Sequence, residues 1–423
     1  MTSLQLSNRH LLLFCGALLA AFAFGIMAAP AKYAPVPAYV KIPSRLCVST
    51  QNVTAFEPFS EFAGLASSSS SADAEVVVTH LQTPKPLRGI YMTSWVAGIP
   101  SWRNKLIAMA DRTEVNALVI DVKDYSGHLS FQTGDPVLAQ MGVEEPRIRG
   151  MRGFLAQCHA HHIYTIARIT VFQDPVFSKK YPQLSVQTHA GQLWRDRNGL
   201  SYVDPSSKPF WDYIIRIADG CVKAGFDEIN FDYIRFPTDG NMRDMVFPIS
   251  GAVSSAQLAS GNASANISVR AHTKGYALQA FFKYLHQNTR SWGIPISADL
   301  FGMVLTSRDD LNIGQMLEVA LPEFDYICPM IYPSHYPPGF KGYGNPAQYP
   351  YEIVRYVLGI GGTRADKMGM KSKLRPWLQD FNLGARYDAA KIIAQKKATY
   401  DAGLDSWLMW DPRNRYTPGG YAP

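Results

Sequence analysis

Charge runs, a serine-nucleophile motif and a metal-ligand pattern are all missing from this sequence. Its 41 Lys and Arg and 34 Asp and Glu are scattered along the chain, so the net charge of +7 forms no basic stripe and gives no support for a nucleic-acid partner. No G-x-S-x-G segment occurs, which argues against a serine esterase. His159, His161 and His162 lack carboxylates or cysteines at ligand spacing, so we predict no metal site and no cofactor.

Long apolar runs are also rare. The sequence has a single one, from Leu11 to Ala29, directly after Arg9 and His10. A charge-free run of this length is typical of an export signal, with Ala29-Pro30-Ala31 as a cleavage site, or of a single membrane anchor. We therefore predict that residues 1–31 export or anchor the protein. The rest of the chain is then extracellular, periplasmic or attached to the outer face of the membrane.

Cysteine is scarce, with five residues in the chain. Cys15 falls in the apolar run, which leaves Cys47, Cys158, Cys221 and Cys328. An even number outside the cytoplasm is compatible with disulfides. However, the last three lie in helical or strand patterns, where a buried free thiol behaves as a small apolar residue. We favour free thiols.

The pattern of the chain changes near residue 87. Residues 32–86 are rich in Pro, Ala and Ser without a sustained period, which predicts a disordered linker whose removal leaves folding intact. Eight later segments have strand character: 88–95, 116–122, 163–172, 226–235, 294–301, 324–332, 374–381 and 405–410. Helical patterns lie between most of them, at 101–113, 150–162, 206–224, 270–292, 309–320, 349–359 and 387–402.

Eight strands that alternate with helices predict an α/β fold in which residues 87–423 form one (β/α)₈ TIM barrel. An open doubly wound sheet is the alternative, but such a sheet usually has a glycine-rich turn after its first strand. Here the first strand runs into Thr93, Ser94 and Trp95. Residues 237–268, rich in Gly, Ser and Ala, predict a mobile lid on the face of the barrel that carries active sites.

Polar residues occupy inward positions at the ends of strands four and five, where a core built for stability alone would have Val, Ile or Leu. Alternation places Asn230 and Asp232 on one face of strand four, and Ser297 and Asp299 on the equivalent face of strand five. Glycoside hydrolysis requires two such carboxyl groups, one protonated and one ionised. We predict Asp232 as nucleophile or base and Asp299 as acid, with structural ion pairs as the alternative.

Charged residues on neighbouring strands extend this set. Asp121 ends strand two with Lys123 on the same face, strand three carries Arg168, and Arg235 follows strand four. They either bind hydroxyl and carboxylate groups of a sugar or form buried salt bridges. Asp121 is also a third catalytic candidate, in place of the strand-five acid.

Aromatic residues close several predicted strands: Tyr91, Trp95, Tyr332, Trp377, Trp407 and Trp410. Core packing explains each alone, but together they favour a cleft in which sugar rings stack. We expect Tyr91, Trp95, Tyr332 and Trp410 to contact substrate.

The block FDEINFDYIRFPTDG at 226–240 resembles a family of mostly bacterial, exported barrel domains that is placed among the glycoside hydrolases largely on fold similarity. The resemblance continues through NALVIDVKDYSG (116–127), the stretch around IARITVFQDP, SADLFG (297–302), YICPMIYPSHY (326–336), PWLQDF (376–381) and WLMWDP (407–412). It covers nearly all of 88–411 and implies a glycoside hydrolase barrel. Gln379, in PWLQDF, completes the predicted substrate contacts.

Strand four is also similar to the catalytic strand of chitinase-type barrels, in which a glutamate acid ends the pattern. Ile234 occupies that position here, so the substrate-assisted mechanism is not implied. We predict instead a two-carboxylate glycoside hydrolase acting on an extracellular or cell-wall polysaccharide. A non-catalytic carbohydrate-binding barrel is the alternative.

Overall fold

The computed structural model describes residues 76–252 and 273–422. Eight parallel strands pair in chain order, and β8 pairs with β1 to close the barrel. All eight predicted strands are present, and the predicted TIM barrel is confirmed. The strands are β1 (Arg88–Met92), β2 (Ala117–Lys123), β3 (Tyr164–Thr170), β4 (Glu228–Asp232), β5 (Ile296–Phe301), β6 (Tyr326–Met330), β7 (Trp377–Gln379) and β8 (Trp407–Trp410).

Helices connect the strands and cover the barrel. They are α1 (Ser94–Ala97), α2 (Pro100–Ala110), α3 (Pro136–Met141), α4 (Met151–Ala160), α5 (Pro175–Lys180), α6 (Lys208–Ala224), α7 (Thr273–Thr289), α8 (Leu317–Ala320), α9 (Pro350–Asp366) and α10 (Ala389–Asp401). In α6 the buried face is formed by residues at helical spacing, such as Phe210, Ile214 and Ile217. Gly225 ends this helix in the left-handed conformation, at φ 111°.

The helix predicted over 309–320 is reduced to the short α8. Upstream of it, the side chain of Asp309 accepts a hydrogen bond from Leu311 N, and that of Asp310 accepts one from Asn312 N. Leu311 and Asn312 both have positive φ, which a helix does not permit. Local side-chain hydrogen bonds therefore replace the helical ones in this segment.

The last residues of the predicted linker 32–86 contact the barrel. Leu81 N donates to the buried carboxylate of Asp227 at 2.6 Å, and His80 contacts Phe226 O at 2.9 Å. The other oxygen of Asp227 accepts from Thr165 N at 2.7 Å. Residues 79–83, here called the N-terminal strap, thus lie against the end of the barrel where the strands begin.

Three cysteines, Cys158, Cys221 and Cys328, are buried free thiols, as predicted. Cys15, Cys47 and the apolar run at 11–29 lie outside the described residues. Among the described residues, no helix is both long enough and apolar enough to cross a membrane.

The predicted lid at 237–268 lies partly outside the described residues. Its described part is bound to a neighbouring loop, because the Asp204 carboxylate accepts hydrogen bonds from Ile249 N at 2.9 Å and Ser250 N at 3.0 Å. A further backbone contact joins Val246 to Gln187.

Candidate active site

Four charged side chains meet inside the barrel near the C-terminal ends of β2 to β5. Asp121, Arg168, Asp232 and Asp299 are each at most 4% exposed. Strand register explains the meeting, since Asp121 pairs with Arg168 across β2 and β3, and Thr170 pairs with Asp232 across β3 and β4. The structure therefore brings all three predicted catalytic carboxyl groups to one place, at the end of the barrel that carries active sites in this fold.

Arg168 is the centre of this cluster. Its Nη1 donates to Asp121 Oδ1 at 2.6 Å, and its Nε and Nη2 both donate to Asp232 Oδ2, with an Nε distance of 3.1 Å. Burial acts to lower the pKa of Arg168, but the charges of Asp232 and Asp121 outweigh it and raise that pKa above the ordinary value. The arginine is therefore a permanent cation.

Asp232 accepts hydrogen bonds from N–H donors at both carboxylate oxygens. Besides Arg168, the backbone N of Tyr233 donates to Asp232 Oδ1 at 2.6 Å. Tyr233 has a φ of 52°, a left-handed conformation that turns the chain sharply directly after β4. The hydrogen bonds from Arg168 are charge-assisted, which makes them stronger than bonds between neutral groups.

Asp299 has a different environment. Its Oδ1 accepts from Asn230 Nδ2 at 2.9 Å and from Trp377 Nε1 at 2.8 Å, whereas its buried Oδ2 has no hydrogen-bond partner in the described structure. Burial, followed by the charge of Asp232, raises the pKa of Asp299 well above its usual range. One oxygen is thus fixed as an acceptor, and the other is free to carry a proton.

The two proposed partners lie within catalytic reach of each other. Arg168 Nε is 3.1 Å from Asp232 Oδ2 and 3.8 Å from Asp299 Oδ2. The two Oδ2 atoms are therefore no more than about 7 Å apart, which is below the upper limit of about 9.5 Å for glycosidase carboxyl pairs.

Asp121 accepts one hydrogen bond at each of its carboxylate oxygens. Arg168 binds its Oδ1, and the Tyr91 hydroxyl donates to its Oδ2. Burial raises the pKa of Asp121, and the charge of Arg168 opposes that rise. This arrangement is suited to holding Arg168 in place.

A second ion pair lies deeper in the barrel. Glu228 accepts from Arg375 Nη1 at 3.2 Å and from Ser297 Oγ at 2.6 Å, and both charged residues are at most 1% exposed. Ser297 Oγ also accepts from Asn230 Nδ2 at 3.0 Å, which links this pair to Asp299. The sequence interpretation missed Arg375, although an inward acid at Glu228 was a signal that a buried cation had to face it.

Two predicted substrate-binding cations are paired with carboxylates of the protein. Lys123 is fully buried, where its Nζ lies 3.0 Å from Asp174 Oδ2 and donates to Thr170 O at 2.6 Å. A register shift between Asp121 and Lys123 moves the lysine out of alternation. Arg235 lies 3.5 Å from Asp239 and does not replace Arg168 as the partner of Asp232.

Two further predicted contacts are largely buried. Gln379 is fully buried, with its Oε1 accepting from Ser334 Oγ at 2.9 Å and its Nε2 donating to Phe381 O at 2.8 Å. Tyr332 is 6% exposed and packs edge-on against Phe381, at a centroid separation of 5.6 Å. Burial and then the charge of Asp299 raise the pKa of Tyr332, which places its hydroxyl near the carboxyl pair.

The aromatic residues divide into packed and accessible groups. Trp377 and Trp407 are fully buried, so they are not available for stacking on a sugar. Tyr91 is 2% exposed and stacks on the partly exposed Trp410, with ring centroids 3.7 Å apart. Trp95 is 59% exposed, and the Arg147 guanidinium lies 4.5 Å from the centre of its ring.

Among the described residues, no group of three or more His, Cys, Asp or Glu side chains is arranged to hold a metal ion. A pocket of about 390 Å³ lies at the opposite end of the barrel, between the N-terminal strap and the starts of β5 and β6, away from the carboxyl cluster.

Residues 89–416 match the model of a domain family described as "Putative glycosyl hydrolase domain" (DUF4015). The chain belongs to this family. Membership in DUF4015 confirms the predicted family resemblance and the assignment to the glycoside hydrolases. No curated protein matches the chain.

Similar solved structures include a hypothetical protein from Ruminiclostridium thermocellum, which is 32% identical over 50% of this chain and 96% of its own, with a TM-score of 0.41. The α-L-fucosidase isoenzyme 2 from Paenibacillus thiaminolyticus is 13% identical over 80% of this chain and 47% of its own, with a TM-score of 0.50. Because the identity to the α-L-fucosidase is only 13%, this similarity shows a shared fold alone.

Proposed function

We propose that the protein hydrolyses a glycosidic bond of an extracellular or cell-wall polysaccharide, with Asp299 as general acid and Asp232 as nucleophile or general base. The observation that carries this proposal is the contrast between the two carboxyl groups. Asp232 accepts N–H donors at both oxygens, whereas Asp299 is buried with Oδ2 unpaired and has a raised pKa. Carboxyl groups with opposite protonation states are what an acid and a base need at one pH.

In the proposed reaction, Asp299 Oδ2 donates its proton to the glycosidic oxygen as the bond from that oxygen to the anomeric carbon breaks. Asp232 either attacks the anomeric carbon or removes a proton from the attacking water. Water finally supplies hydroxide to the sugar and a proton to the enzyme, so atoms and charge balance. Asp121, bound by Arg168 and Tyr91, positions the arginine that donates to Asp232.

Trp410 and the exposed Trp95 are the proposed stacking surfaces for sugar rings. The charge-free run at Leu11–Ala29 supports export, and an exported enzyme meets polymers outside the cytoplasm.

A polysaccharide panel tests this proposal. We expect the full chain to release new reducing ends from at least one polymer, and the Asp232→Asn variant to release far fewer from the same polymer. The matched control is Asp219→Asn, which changes a carboxylate on α6 that pairs with Lys223 at the protein surface. Binding to a polymer without cleavage would instead favour the carbohydrate-binding barrel.

A further inference from the structure

Polar side chains occupy three successive inward positions of β4 and end at the carboxyl pair. Glu228, Asn230 and Asp232 alternate along this strand, and Asn230 lies opposite Ser297 in the register of β4 and β5. Both members of this opposed pair are fully buried. A barrel interior that serves stability alone is filled mainly by branched apolar side chains. The polar column therefore needs a reason other than packing.

The hydrogen atoms in this column can be assigned, because each donor is already committed. Arg375 binds Glu228 through both carboxylate oxygens, so the glutamate accepts the hydroxyl hydrogen of Ser297, at 2.6 Å. A serine hydroxyl has a single hydrogen, so Ser297 Oγ can only accept from Asn230, at 3.0 Å. The side of Asn230 that faces the serine must therefore be its NH₂ group.

The same NH₂ group also donates to Asp299. The distance from Asn230 Nδ2 to Asp299 Oδ1 is 2.9 Å, and Trp377 Nε1, which can only donate, lies 2.8 Å from the same oxygen. Because two N–H groups are directed at Oδ1, the proton of the neutral acid belongs on Oδ2. That oxygen lies on the side of Arg168, 3.8 Å from its Nε.

The amide of Asn230 is held in this orientation at a cost. Its Oδ1 is buried and has no hydrogen-bond partner in the described structure, which is destabilising. Half a turn of the amide would direct this oxygen at Asp299, which could then donate to it from its own Oδ1. The hydroxyl of Ser297 opposes that rotation, because the rotated amide would place one acceptor oxygen against another.

We propose that Ser297 is a positioning residue of this site, which acts through Asn230 to fix the oxygen of Asp299 that carries the donated proton. This inference rests on the proposed function of the same cleft. Ser297 is fully buried, so it acts on the acid and not on the substrate. Without its hydroxyl, the amide turns, the proton moves to Oδ1, and Asp299 no longer presents it to the glycosidic oxygen.

The indole of Trp377 provides a readout that needs no substrate. Its N–H is hydrogen-bonded to the carboxyl group of Asp299, so its NMR shifts should follow the ionisation of that group. The full chain, labelled with ¹⁵N-tryptophan, is titrated with pH. Trp377→Phe identifies the resonance, and Asp299→Asn identifies the group that titrates.

Ser297→Ala should move the midpoint of this titration upward by at least about 1 pH unit. Burial and the charge of Asp232 raise the pKa of Asp299, and the hydrogen bond from Asn230 acts against them. A rotated amide withdraws that hydrogen bond from the ionised form, so the pKa rises further. Ser297→Thr keeps the hydroxyl and should restore the parent midpoint. The charged and titratable groups near the acid stay unchanged in both variants: Asp232, Arg168, Cys328 and Tyr332.

A double variant tests whether Ser297 acts through Asn230. Asn230→Ala should raise the midpoint, and adding Ser297→Ala to it should produce no larger shift than Asn230→Ala alone. Tyr164→Phe is the matched control, because the Tyr164 hydroxyl also donates to Glu228, at 3.3 Å, and makes no hydrogen bond to Asn230 in the described structure. Its midpoint should equal that of the parent.

Turnover should show the same pattern. On a polymer that the parent cleaves, we expect Ser297→Ala to lower kcat by about 10-fold or more, and to change it little on an aryl glycoside whose phenolate leaves without a proton. The alkaline decline of kcat/KM should move to higher pH although the rate falls. A loss of folded protein would lower the rate on both substrates and leave the pH of the decline unchanged.

An unchanged midpoint in Ser297→Ala, an equal shift in Tyr164→Phe, or additive shifts in the double variant would overturn this inference. Failure of the proposed function gives a different result, in which the titration shifts as expected but no polymer is cleaved. Cleavage that is lost in Asp232→Asn, together with an unshifted titration in Ser297→Ala, would preserve the hydrolase and remove the role of Ser297.

Discussion

A single guanidinium divides the roles of the three clustered aspartates. Arg168 binds Asp232 and Asp121 directly but lies 3.8 Å from Asp299, beyond hydrogen-bonding distance. The first two carboxyl groups share its positive charge, and the third is left in a buried site next to a negative neighbour. Desolvation and like charge both favour the neutral acid at Asp299.

Activity should therefore decline on the alkaline side through Asp299. Because its pKa is raised, this residue remains protonated and able to donate at pH values where an ordinary aspartate is ionised. As the pH rises through that pKa, the proton is lost and kcat/KM falls. The pH profile of kcat/KM measures this effect. We expect the alkaline decline that is due to Asp299 to be absent from the profile of the Asp299→Asn variant.

The leaving group provides a second check on Asp299. We expect Asp299→Asn to lower kcat by about 10²- to 10⁴-fold on a natural polymer, and much less on an aryl glycoside whose phenolate leaves without a proton. Equal losses on both substrates would show that Asp299 is not the proton donor.

At the scale of elements, the segment after β8 holds the first strand in place. Asp380, which follows β7, accepts hydrogen bonds from Thr417 N at 2.9 Å and from the Tyr421 hydroxyl at 2.6 Å. Tyr416 and Asn414 both donate to the backbone O of Tyr91. The C-terminal segment thus fixes the strand that presents Tyr91 to Asp121.

Asp411 should make stability depend on pH in this segment. Burial raises its pKa to about 6, and its Oδ2 has no hydrogen-bond partner in the described structure. Since the folded protein binds this proton more tightly than the unfolded chain, the contribution to stability is present below about pH 4 and lost as pH rises through about 6, which amounts to about 3 kcal/mol.

Urea unfolding at pH 4, 6 and 8 measures this contribution. Asp411→Asn should flatten the decline and be more stable than the parent at pH 8. Asp366→Asn, at an exposed position at the end of α9, is the control and should follow the parent. A variant that lost stability equally at all three pH values would show that Asp411 has a structural role in its charged form.

The N-terminal strap should contribute to stability through Asp227. A chain that starts at residue 76 keeps the hydrogen bond from Leu81 N, whereas a chain that starts at residue 84 leaves the buried carboxylate with fewer donors. We expect the shorter chain to unfold with a free energy lower by about 1–3 kcal/mol. Identical denaturant midpoints for the two chains would show that the N-terminal strap does not stabilise the barrel, and would support the predicted linker boundary at residue 86.

At the scale of the whole molecule, periodicity was sufficient to predict the barrel. Alternating apolar runs located all eight strands, and alternation within β4 and β5 placed Asp232 and Asp299 on the inward face. Register was not predictable, because the irregularity after Asp121 that turns Lys123 towards Asp174 has no signature in the spacing of residues. A one-residue shift of this kind changes the face on which a side chain lies.

Contacts between distant segments were equally inaccessible. Arg375 and Glu228 are 147 residues apart, and Trp377 Nε1 reaches Asp299 over 78 residues. Sequence shows that buried charges need partners but not which strand supplies them. Arg168, and not Arg235, is the partner of Asp232 because β3 and β4 lie side by side in the closed barrel.

The central claim is that Asp232 performs the chemistry at the end of β4, and turnover by Asp232→Asn tests it most directly. Asparagine keeps the size of the side chain but removes the charge that Arg168 and Tyr233 N stabilise. On a polymer that the parent cleaves, we predict a folded variant that still binds but has a kcat reduced by about 10²- to 10⁴-fold or more. Near-normal turnover by this variant would contradict the account and make Asp121 the next carboxylate to test.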